Sequence, residues 1–417
     1  MAKHASDQPE LIPEDELPVT PEIIRAEVNL LTLPFFALSR RGLKDKTMSE
    51  FTAVVERGDE KVEIVWRVSS SAEYGYPGPF DQKVHKAIEE IINDLPHPVE
   101  NPIGFSIYQL CKRMKLRSTG GADYRKVKEA LERIVATTVK SSGAFYVKGR
   151  KKWIDDVFHI YDRVIFKGEE LGNGEIADKN YLYLNSWYLE NLNERYVRPL
   201  DYDYYKSLGS NVAKRLYELL GVKFYGLMQA GYTSIGYRYS TLCQLLPLKR
   251  QPYQSQAKQI LEPAHRQLME TQFLEDVRWS ATATEERDWL VTYVPGERAV
   301  AEIQQSRGDG IGADRQSREP LRLPFEPDEE QRVLADELAK EILRVVGDEH
   351  SWPFYQRVAR RAIETPMLRD LVYRVLSEVK DEARQGQIQT SRGAVFTDRL
   401  KRHCEHFGID LGLSQAD

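Results

Sequence analysis

One succession of elements occurs twice in this chain, and that repetition constrains the fold more than any other feature. In the first copy a short helix predicted over 107–114 is followed by a tight link at 118–121 and a longer helix that ends near Ala136. Apolar residues at helical spacing support both helices. Runs rich in β-branched and aromatic residues then predict strands, which lie at 138–147, 153–158 and 160–166.

The second copy repeats this order further along the chain. Its elements are predicted at 240–246 (short helix), 254–271 (longer helix), 273–279 and 289–293 (strands), with the link 247–252 between the helices. Pro263 lies inside the longer helix, and because proline lacks the backbone N–H it predicts a kink or a break there.

A short helix, a tight link, a longer helix and a β-hairpin with a basic tip form the winged helix-turn-helix pattern. The longer helix of such a unit enters the DNA major groove with its N-terminal residues, and the hairpin contacts the backbone or the minor groove. The expected fold class is therefore α+β, with tandem winged helix-turn-helix domains followed by a small all-helical C-terminal domain.

The boundaries follow from composition. We expect a flexible acidic N-terminal arm at 1–27, a first winged-helix domain at 28–200, a second at 201–303 and a linker at 304–327 rich in Gly, Arg and Pro. Residues 328–417 read as helices and form a separate C-terminal domain. An alternating run at 181–184 also has the character of a strand.

Charge is distributed unevenly along the chain, although its formal net charge is only −5. Residues 112–152 hold thirteen Lys or Arg against three acidic residues, whereas residues 238–278 hold six against four. A basic island in an acidic chain suits a localised polyanion site, and a solvated basic face is the alternative. Two roles are open for the second copy, reading DNA or making dimer contacts.

The candidate DNA-binding residues fall at the start of each longer helix, in the link before it and at the hairpin tip. In the first copy they are Arg117, Ser118 and Thr119 for phosphate, Tyr124, Arg125 and Lys128 for bases or sugars, Lys126 beside them, and Lys148, Arg150, Lys151 and Lys152 at the tip. In the second copy they are Lys249, Arg250, Gln251, Tyr253, Gln254 and Gln256. Tyr124 lies near the apolar face, so a place in the core is equally open for it.

The sequence has no complete motif for enzymatic chemistry. No Gly-x-x-x-x-Gly-Lys-[Ser/Thr] run for nucleotide hydrolysis and no His-hydrophobe-His pair for metal-dependent nicking occurs in the sequence. His403 and His406 can share a helix face, but a second pair of ligands does not accompany them. We therefore expect no catalytic residue, no metal and no cofactor, and a protein that is not an enzyme.

Cellular context follows from what the chain contains. Its three cysteines are far apart in sequence and suit a reducing compartment. The first twenty residues lack the apolar core of a signal peptide, and no apolar run of about eighteen residues suggests a membrane span. A cytoplasmic location without membrane contact is expected.

Several short segments resemble the plasmid replication initiator protein A family. They are Leu-Pro-Phe-Phe-Ala-Leu-Ser-Arg-Arg at 33–41, Glu-Tyr-Gly at 73–75, Ser-Thr-Gly-Gly-Ala-Asp-Tyr at 118–124, Lys-Glu-Ala-Leu-Glu-Arg at 128–133 and the Thr pair at 137–138. The resemblance covers about residues 28–295. It implies a protein that binds repeated double-stranded origin DNA, helps to melt adjacent AT-rich DNA and recruits a host helicase, primase or initiator. It also implies a homodimer in the non-replicating form.

Two other functions compete with this one. A winged-helix transcriptional regulator, a repressor with a helical dimerisation domain, predicts palindromic sites and no melting of DNA. An enzyme acting on nucleic acid predicts a carboxylate metal cluster, which the sequence does not suggest. Two different units in one chain favour an initiator, because an asymmetric protein suits direct repeats and a symmetric dimer suits palindromes.

Overall fold

The computed structural model describes residues 22–57, 60–116, 120–229, 232–282, 288–308, 327–388, 391–409 and 411. Its helices are α1 (Val28–Thr32), α2 (Pro79–Asn93), α3 (Ile107–Arg113), α4 (Gly121–Val135), α5 (Ser186–Asn193), α6 (Tyr202–Ser207), α7 (Asn211–Gln229), α8 (Tyr239–Leu245), α9 (Gln254–Glu270), α10 (Glu297–Gly308), α11 (Pro327–Val346), α12 (Trp352–Glu364), α13 (Pro366–Arg384) and α14 (Arg392–Phe407). Its strands are β1 (Ile23–Glu27), β2 (Met48–Arg57), β3 (Glu60–Ser69), β4 (Ile103–Phe105), β5 (Thr138–Val147), β6 (Lys152–Phe158), β7 (Tyr161–Ile165), β8 (Asn180–Leu184), β9 (Val197–Asp201), β10 (Ile235–Arg238), β11 (Leu274–Ala281) and β12 (Trp289–Pro295).

Two stretches of the chain have the same order of elements and the same order of strands. The first unit consists of α2, β4, α3, α4, β7 and β8, and its antiparallel sheet has the order β4-β8-β7. The second unit consists of α7, β10, α8, α9, β11 and β12, with the sheet order β10-β12-β11. In each unit the strand before the short helix thus pairs with the last strand of the hairpin.

The hairpin expected to complete the first unit lies in another sheet. Strands β5 and β6 join β2 and β3 in a four-stranded sheet of order β2-β3-β5-β6. Its inner face is aromatic: the ring of Trp66 lies 6.1 Å from that of Phe145, which lies 5.3 Å from that of Phe158. The prediction of 148–152 as the wing tip of this unit was wrong, because the apolar pattern of a strand identifies its buried face and not the strand that pairs with it.

Local contacts and residue types set the limits of several helices. Helix α2 begins at Pro79 after Gly78, and Asp81 accepts a hydrogen bond from the Gly78 backbone at 2.6 Å. Helix α4 begins at Gly121. Helix α9 runs through Pro263 as one helix, although a proline removes one backbone hydrogen bond.

Two predicted segments, the N-terminal arm and the linker, contain regular secondary structure where the structure describes them. The last residues of the predicted arm form β1, which pairs with β9 and places Ile23 opposite Asp201. The first residues of the predicted linker, 304–308, belong to α10. The remainder of these segments, 1–21 and 309–326, lies outside the described residues.

One buried apolar cluster extends through both units, from Ile24 to Ile303. Helices α11 to α14 have a second core of their own, which also takes in Leu290 from β12. The helical region, expected to be separate, therefore packs on the sheet of the second unit. Gly236 of β10 is needed at that contact, since a Cβ atom there would lie 2.4 Å from a methyl group of Leu334.

The protein thus has a mixed α+β architecture with a helical C-terminal region. None of the helices in the described ranges combines the length and the apolar character that a membrane span requires.

Candidate nucleic-acid interface

The longer helix of the first unit, α4, buries one side and exposes a basic one. Val127 and Leu131 are fully buried, whereas Arg125, Lys126 and Lys128 are exposed. Residues three and four apart share a helix face, which explains why the apolar positions line one side. The three basic residues therefore lie on the first two turns of the helix, where their side chains face solvent.

Arg133 fixes this helix against the preceding structure. Its Nη1 atom donates to Asp81 Oδ1 at 2.6 Å, and its Nε atom donates to the carbonyl oxygen of Tyr74 at 2.7 Å. Arg133 therefore joins α4 to α2 through an ion pair. The pKa of Asp81 is nevertheless raised, because burial outweighs the nearby guanidinium.

Two further predicted residues of α4 have mixed surroundings. Tyr124 is half-buried and packs against the apolar core, so the core role left open for it accounts for part of its side chain. The Lys128 Nζ atom lies 4.7 Å from the ring centroid of Phe166, at the point where the β7–β8 hairpin begins. Arg117, Ser118 and Thr119 lie outside the described residues.

The basic turn at 148–152 packs on α5. The backbone N–H of Lys148 donates to Asn191 Oδ1 at 3.0 Å. Arg150 donates to Glu190 at 3.2 Å, and its guanidinium lies 4.4 Å from the ring centroid of Trp187. Lys151 and Lys152 are exposed. Arg150 is thus already paired within the protein, which leaves fewer of its N–H groups to bind a phosphate.

The hairpin that belongs to the first unit is acidic instead. Between β7 and β8, residues 166–179 hold four acidic residues against two lysines, and Ile176 is 65% exposed. An acidic loop is repelled by phosphate, so this hairpin is poorly suited to grip the DNA backbone. The alternating run at 181–184 was the sequence signal for β8, but nothing in it identified β4 as its partner.

The second unit brings its six candidate residues together within eight positions. Lys249 and Arg250 are exposed in the link between α8 and α9. Tyr253 is 60% exposed immediately before α9, followed by the half-buried Gln254 and the exposed Gln256. This surface is polar and aromatic at the start of a helix, with little net charge nearby.

Gln251 has a structural contact in addition. Its backbone N–H donates to the Tyr239 hydroxyl group at 3.3 Å, which ties the link to the first residue of α8. The pKa of Tyr239 is raised mainly by burial, and burial also raises the pKa of Cys243 to about 11. These neighbours are therefore neutral core groups that support the link.

Two polar residues missed by sequence reasoning lie at the roots of the hairpins. Asn180 begins β8, and Asp288 immediately precedes β12. Each hydrogen-bonds to the chain at or beside the start of the short helix of its unit. A polar residue at the start of a strand is too common a feature to single out from sequence.

No group of three His, Cys, Asp or Glu residues placed to hold a metal ion is found in the part of the chain that the structure describes. The cluster at 403–406 lies on α14, where Cys404 is buried in the helical core.

Comparison with known proteins identifies a large part of the chain. Residues 25–226 match the family model described as Replication initiator protein A. This segment, slightly less than half of the chain, is similar to that family. The replication initiator protein A segment holds the whole first unit and most of α7, and it ends before the helix pair of the second unit. The match supports a role of this segment in DNA replication initiation.

No curated protein sequence matches the chain. Among solved structures the chain is similar to domains 2 and 3 of RctB, with 16% sequence identity and a TM-score of 0.37. That similarity covers 64% of this chain and 98% of the RctB chain. A TM-score this low does not establish a common fold.

Proposed function

We propose that this chain is a plasmid-type replication initiator that binds repeated origin DNA sequence-specifically through two winged helix-turn-helix units. The observation that carries the proposal is the repeated topology. A helix, a strand, a helix pair and a hairpin occur in the same order in both units, with the same strand order. The first of these units lies within the replication initiator protein A segment.

The recognition helices in this proposal are α4 and α9. Their N-terminal residues are exposed, and these are the positions from which a helix in the major groove touches base edges. In the first unit Arg125 and Lys128 contact bases or sugars, with Tyr124 and Lys126 beside them and Arg117, Ser118 and Thr119 on phosphate. In the second unit Gln254 and Gln256 suit adenine, and Lys249, Arg250, Gln251 and Tyr253 contact the backbone and neighbouring bases.

The basic turn is assigned a smaller role. Lys148, Arg150, Lys151 and Lys152 contact backbone phosphates outside the two major-groove sites, since the turn belongs to the four-stranded sheet. Because the two units differ in charge and in side chains, each reads a different sequence. The proposed site is therefore asymmetric and is repeated in one direction, as in an array of origin repeats.

The wider role rests on the family. We propose that binding opens adjacent AT-rich DNA and recruits a host helicase, primase or initiator without catalysis by this chain. We propose further that a homodimer represents the non-replicating form, and that the protein acts in the cytoplasm.

Binding to DNA fragments tiled across the region around the protein's own gene tests this function. The expected result is salt-sensitive binding to directly repeated sites, with permanganate-reactive thymines nearby. Binding to a single palindrome without reactive thymines would instead support a transcriptional regulator.

Variants of α4 test the proposed contacts on the same fragments. Arg125→Ala and Lys128→Ala are each expected to weaken specific binding by about 1–3 kcal/mol with little change in stability. Arg384→Ala is the matched control, because Arg384 lies on α13 with its side chain 81% exposed. Equal binding by the doubly substituted and native proteins would exclude α4 as a recognition helix.

A further inference from the structure

A short basic segment, residues 38–46, crosses the beginnings of two helices that belong to different units. Its charged residues are Arg40, Arg41, Lys44, Asp45 and Lys46. The first three cations are exposed, and Lys46 is half-buried. Because the segment precedes α2 in the chain, it lies outside both helix pairs and outside the basic turn at 148–152.

Contacts on two sides hold this segment at the boundary between the units. The side chain of Asn211, the first residue of α7, donates to the carbonyl oxygen of Leu38 at 3.0 Å. Leu43 packs at the start of α2, where a Cβ atom at Gly78 would lie 2.6 Å from Leu43 Cδ2. The segment is therefore held against α2 of the first unit and α7 of the second.

One lysine from each of these helices extends the positive charge. Lys83 lies in the second turn of α2 and is exposed, and Lys214 is the fourth residue of α7. Burial lowers the pKa of Lys214, and the positive charge of Lys83 lowers it further, which shows that the two lysines are close together. The inter-unit basic surface is defined by Arg40, Arg41, Lys44, Lys46, Lys83 and Lys214.

These six side chains are held without ion-pair partners among the residues that the structure describes. Glu218, which faces Lys214, is buried and paired with Lys86 at 3.1 Å. Lys46 and Lys214 contact aromatic rings instead, with their Nζ atoms 5.0 and 5.2 Å from the ring centroids. Burial lowers the pKa of Lys46 as well. Like charges held close together cost free energy, and a bound anion removes that cost.

The cations assigned to the first unit differ in this respect. Lys126 of α4 lies 3.7 Å from Asp123, and Arg150 of the basic turn lies 3.2 Å from Glu190. These side chains exchange one partner for another when they bind a phosphate. The inter-unit basic surface has no such internal pair to break, so its full charge is available to an external polyanion.

We propose that the inter-unit basic surface binds the phosphate backbone of duplex DNA without reading its sequence. This inference deepens the proposed function and rests on it, since it adds a backbone contact to the two recognition helices. Charge complementarity selects the occupant, because a row of lysine and arginine side chains matches a row of phosphates. A backbone bound here lies at the boundary of the two units and adds affinity equally for every sequence.

Binding of the full chain to two duplexes of equal length tests the proposal. One duplex carries the repeat found by tiling, and the other has a random sequence. The triple variant Arg40→Gln, Arg41→Gln and Lys44→Gln should lower the slope of log K against log salt by about three on both duplexes. Its loss of affinity should therefore be about fortyfold larger at 50 mM salt than at 200 mM.

A second triple variant controls for net charge. Arg384→Gln, Arg392→Gln and Arg402→Gln remove the same charge from exposed positions of the helical C-terminal region. This control should keep the native slope and bind within about twofold of the native affinity. An equal loss in both triple variants would overturn the proposal, because the response would then be to net charge alone.

Two smaller changes define the contact more closely. Arg40→Lys combined with Arg41→Lys keeps both positive charges, so the slope should stay near the native value. Lys83→Gln should lower the slope by about one, as expected for a phosphate contact on α2. A native slope for Lys83→Gln would overturn the extension of the surface onto that helix.

The remaining outcomes separate this surface from the recognition helices. A native slope for the first triple variant would overturn the proposal, and so would a loss confined to the repeat, since that would indicate base reading. Equal binding of both duplexes by the native protein would contradict the proposed function instead. The slope on the random duplex would still test the basic surface in that case.

Melting temperatures establish that the variants are folded. If the first triple variant melts at a lower temperature than the native protein, the single variants Arg41→Gln and Lys44→Gln replace it. Each should lower the slope by about one on both duplexes. A native slope for both single variants would overturn the proposal.

Discussion

The first and second units share one topology but present different surfaces at the same places. The first exposes Arg125, Lys126 and Lys128 on its longer helix, and the second exposes Tyr253 and Gln256 with a short basic link before them. The hairpin of the first unit has an acidic loop, and strands β5 and β6 of the four-stranded sheet lie between its longer helix α4 and that hairpin along the chain. The arrangement of helices and strands is therefore repeated, while the exposed side chains differ between the two units.

The two units also differ in what covers their sheets. Helix α11 packs on β10 of the second unit, and Arg369 of α13 donates to Ser234 Oγ at 2.9 Å. In the first unit helix α4 packs on β7, and Lys128 of that helix reaches Phe166. The comparison indicates that a repeated arrangement of helices and strands carries two distinct surfaces, one basic and one polar and aromatic.

The largest expected effect concerns the buried contact between the two units. Lys86 of α2 lies 3.1 Å from Glu218 of α7 and 2.8 Å from Glu89, and all three are buried. Removing one partner leaves buried charges without compensation, so Lys86→Ala should lower the free energy of unfolding by about 3–5 kcal/mol. Lys83→Ala, at an exposed position of the same helix, should change it by less than about 0.5 kcal/mol.

Urea unfolding of both variants measures this difference. A loss of less than about 1 kcal/mol for Lys86→Ala would mean that the buried pair does not hold the two units together.

The next effect is a pH dependence that differs between the flanks of the two units. Burial raises the pKa of Glu27, before the first unit, to about 7, and burial likewise raises that of Glu302, after the second, to about 7. An unfolded chain ionises these groups near their ordinary pKa of 4.5, so each costs stability as the pH rises from about 4.5 to 7. Above pH 7 the loss is complete.

The stability difference between each variant and the native protein at pH 5 and pH 8 isolates these groups. Glu27→Gln should remove a loss of about 3 kcal/mol across that range, since Glu27 is fully buried. Glu302→Gln should remove less, because its side chain is 28% exposed. A pH-independent difference for Glu27→Gln would contradict the raised pKa.

A smaller effect tests the contact between the helical C-terminal region and the second unit. Arg369 is buried and bonded to Ser234, and its pKa is lowered by burial. Arg369→Ala should cost about 1.5–3 kcal/mol, the range for a hydrogen bond to a charged group. Hydrogen exchange should accelerate in β10 and leave β4 of the first unit unchanged. Equal acceleration in both strands would mean that the helical region does not act on the second unit specifically.

The smallest expected effect concerns the basic turn. Changing Arg150, Lys151 and Lys152 together to Ala should lower the salt slope of DNA binding by about two, because Arg150 is already paired with Glu190. A reduction by about three would mean that the turn contacts DNA with all three side chains. An unchanged slope would remove the turn from the interface.

Periodicity predicted most elements because it follows from the buried face of each one. The helix pairs and β5 were found in this way, since Val127 and Leu131 or Ala257 and Leu261 recur at helical spacing. Strand pairing was not predictable, as β4 has only three residues and finds its partner β8 almost eighty residues later. The wing was therefore assigned to the nearest hairpin in sequence.

The sequence indicated which candidate DNA-binding residues are exposed, but it did not indicate which residues hold the helices in place. Residue type and position at a helix start identified Arg125 and Gln256, and both are exposed. Arg133, which fixes α4, and Asp288, which bonds to the start of α8, act through partners distant in sequence, namely Asp81 and Ser240. Such contacts arise from the tertiary fold and leave no local pattern.

Cleavage of DNA from a reagent attached at each recognition helix tests the central claim most directly. Single cysteines introduced by Lys126→Cys on α4 and Ser255→Cys on α9 would carry the reagent, because the native cysteines Cys111, Cys243 and Cys404 are all buried. Two units that read one asymmetric site predict two cleavage positions in every bound repeat, at one fixed separation and in one fixed order. Cleavage from only one of the two positions, or at the same base pairs from both, would contradict the account.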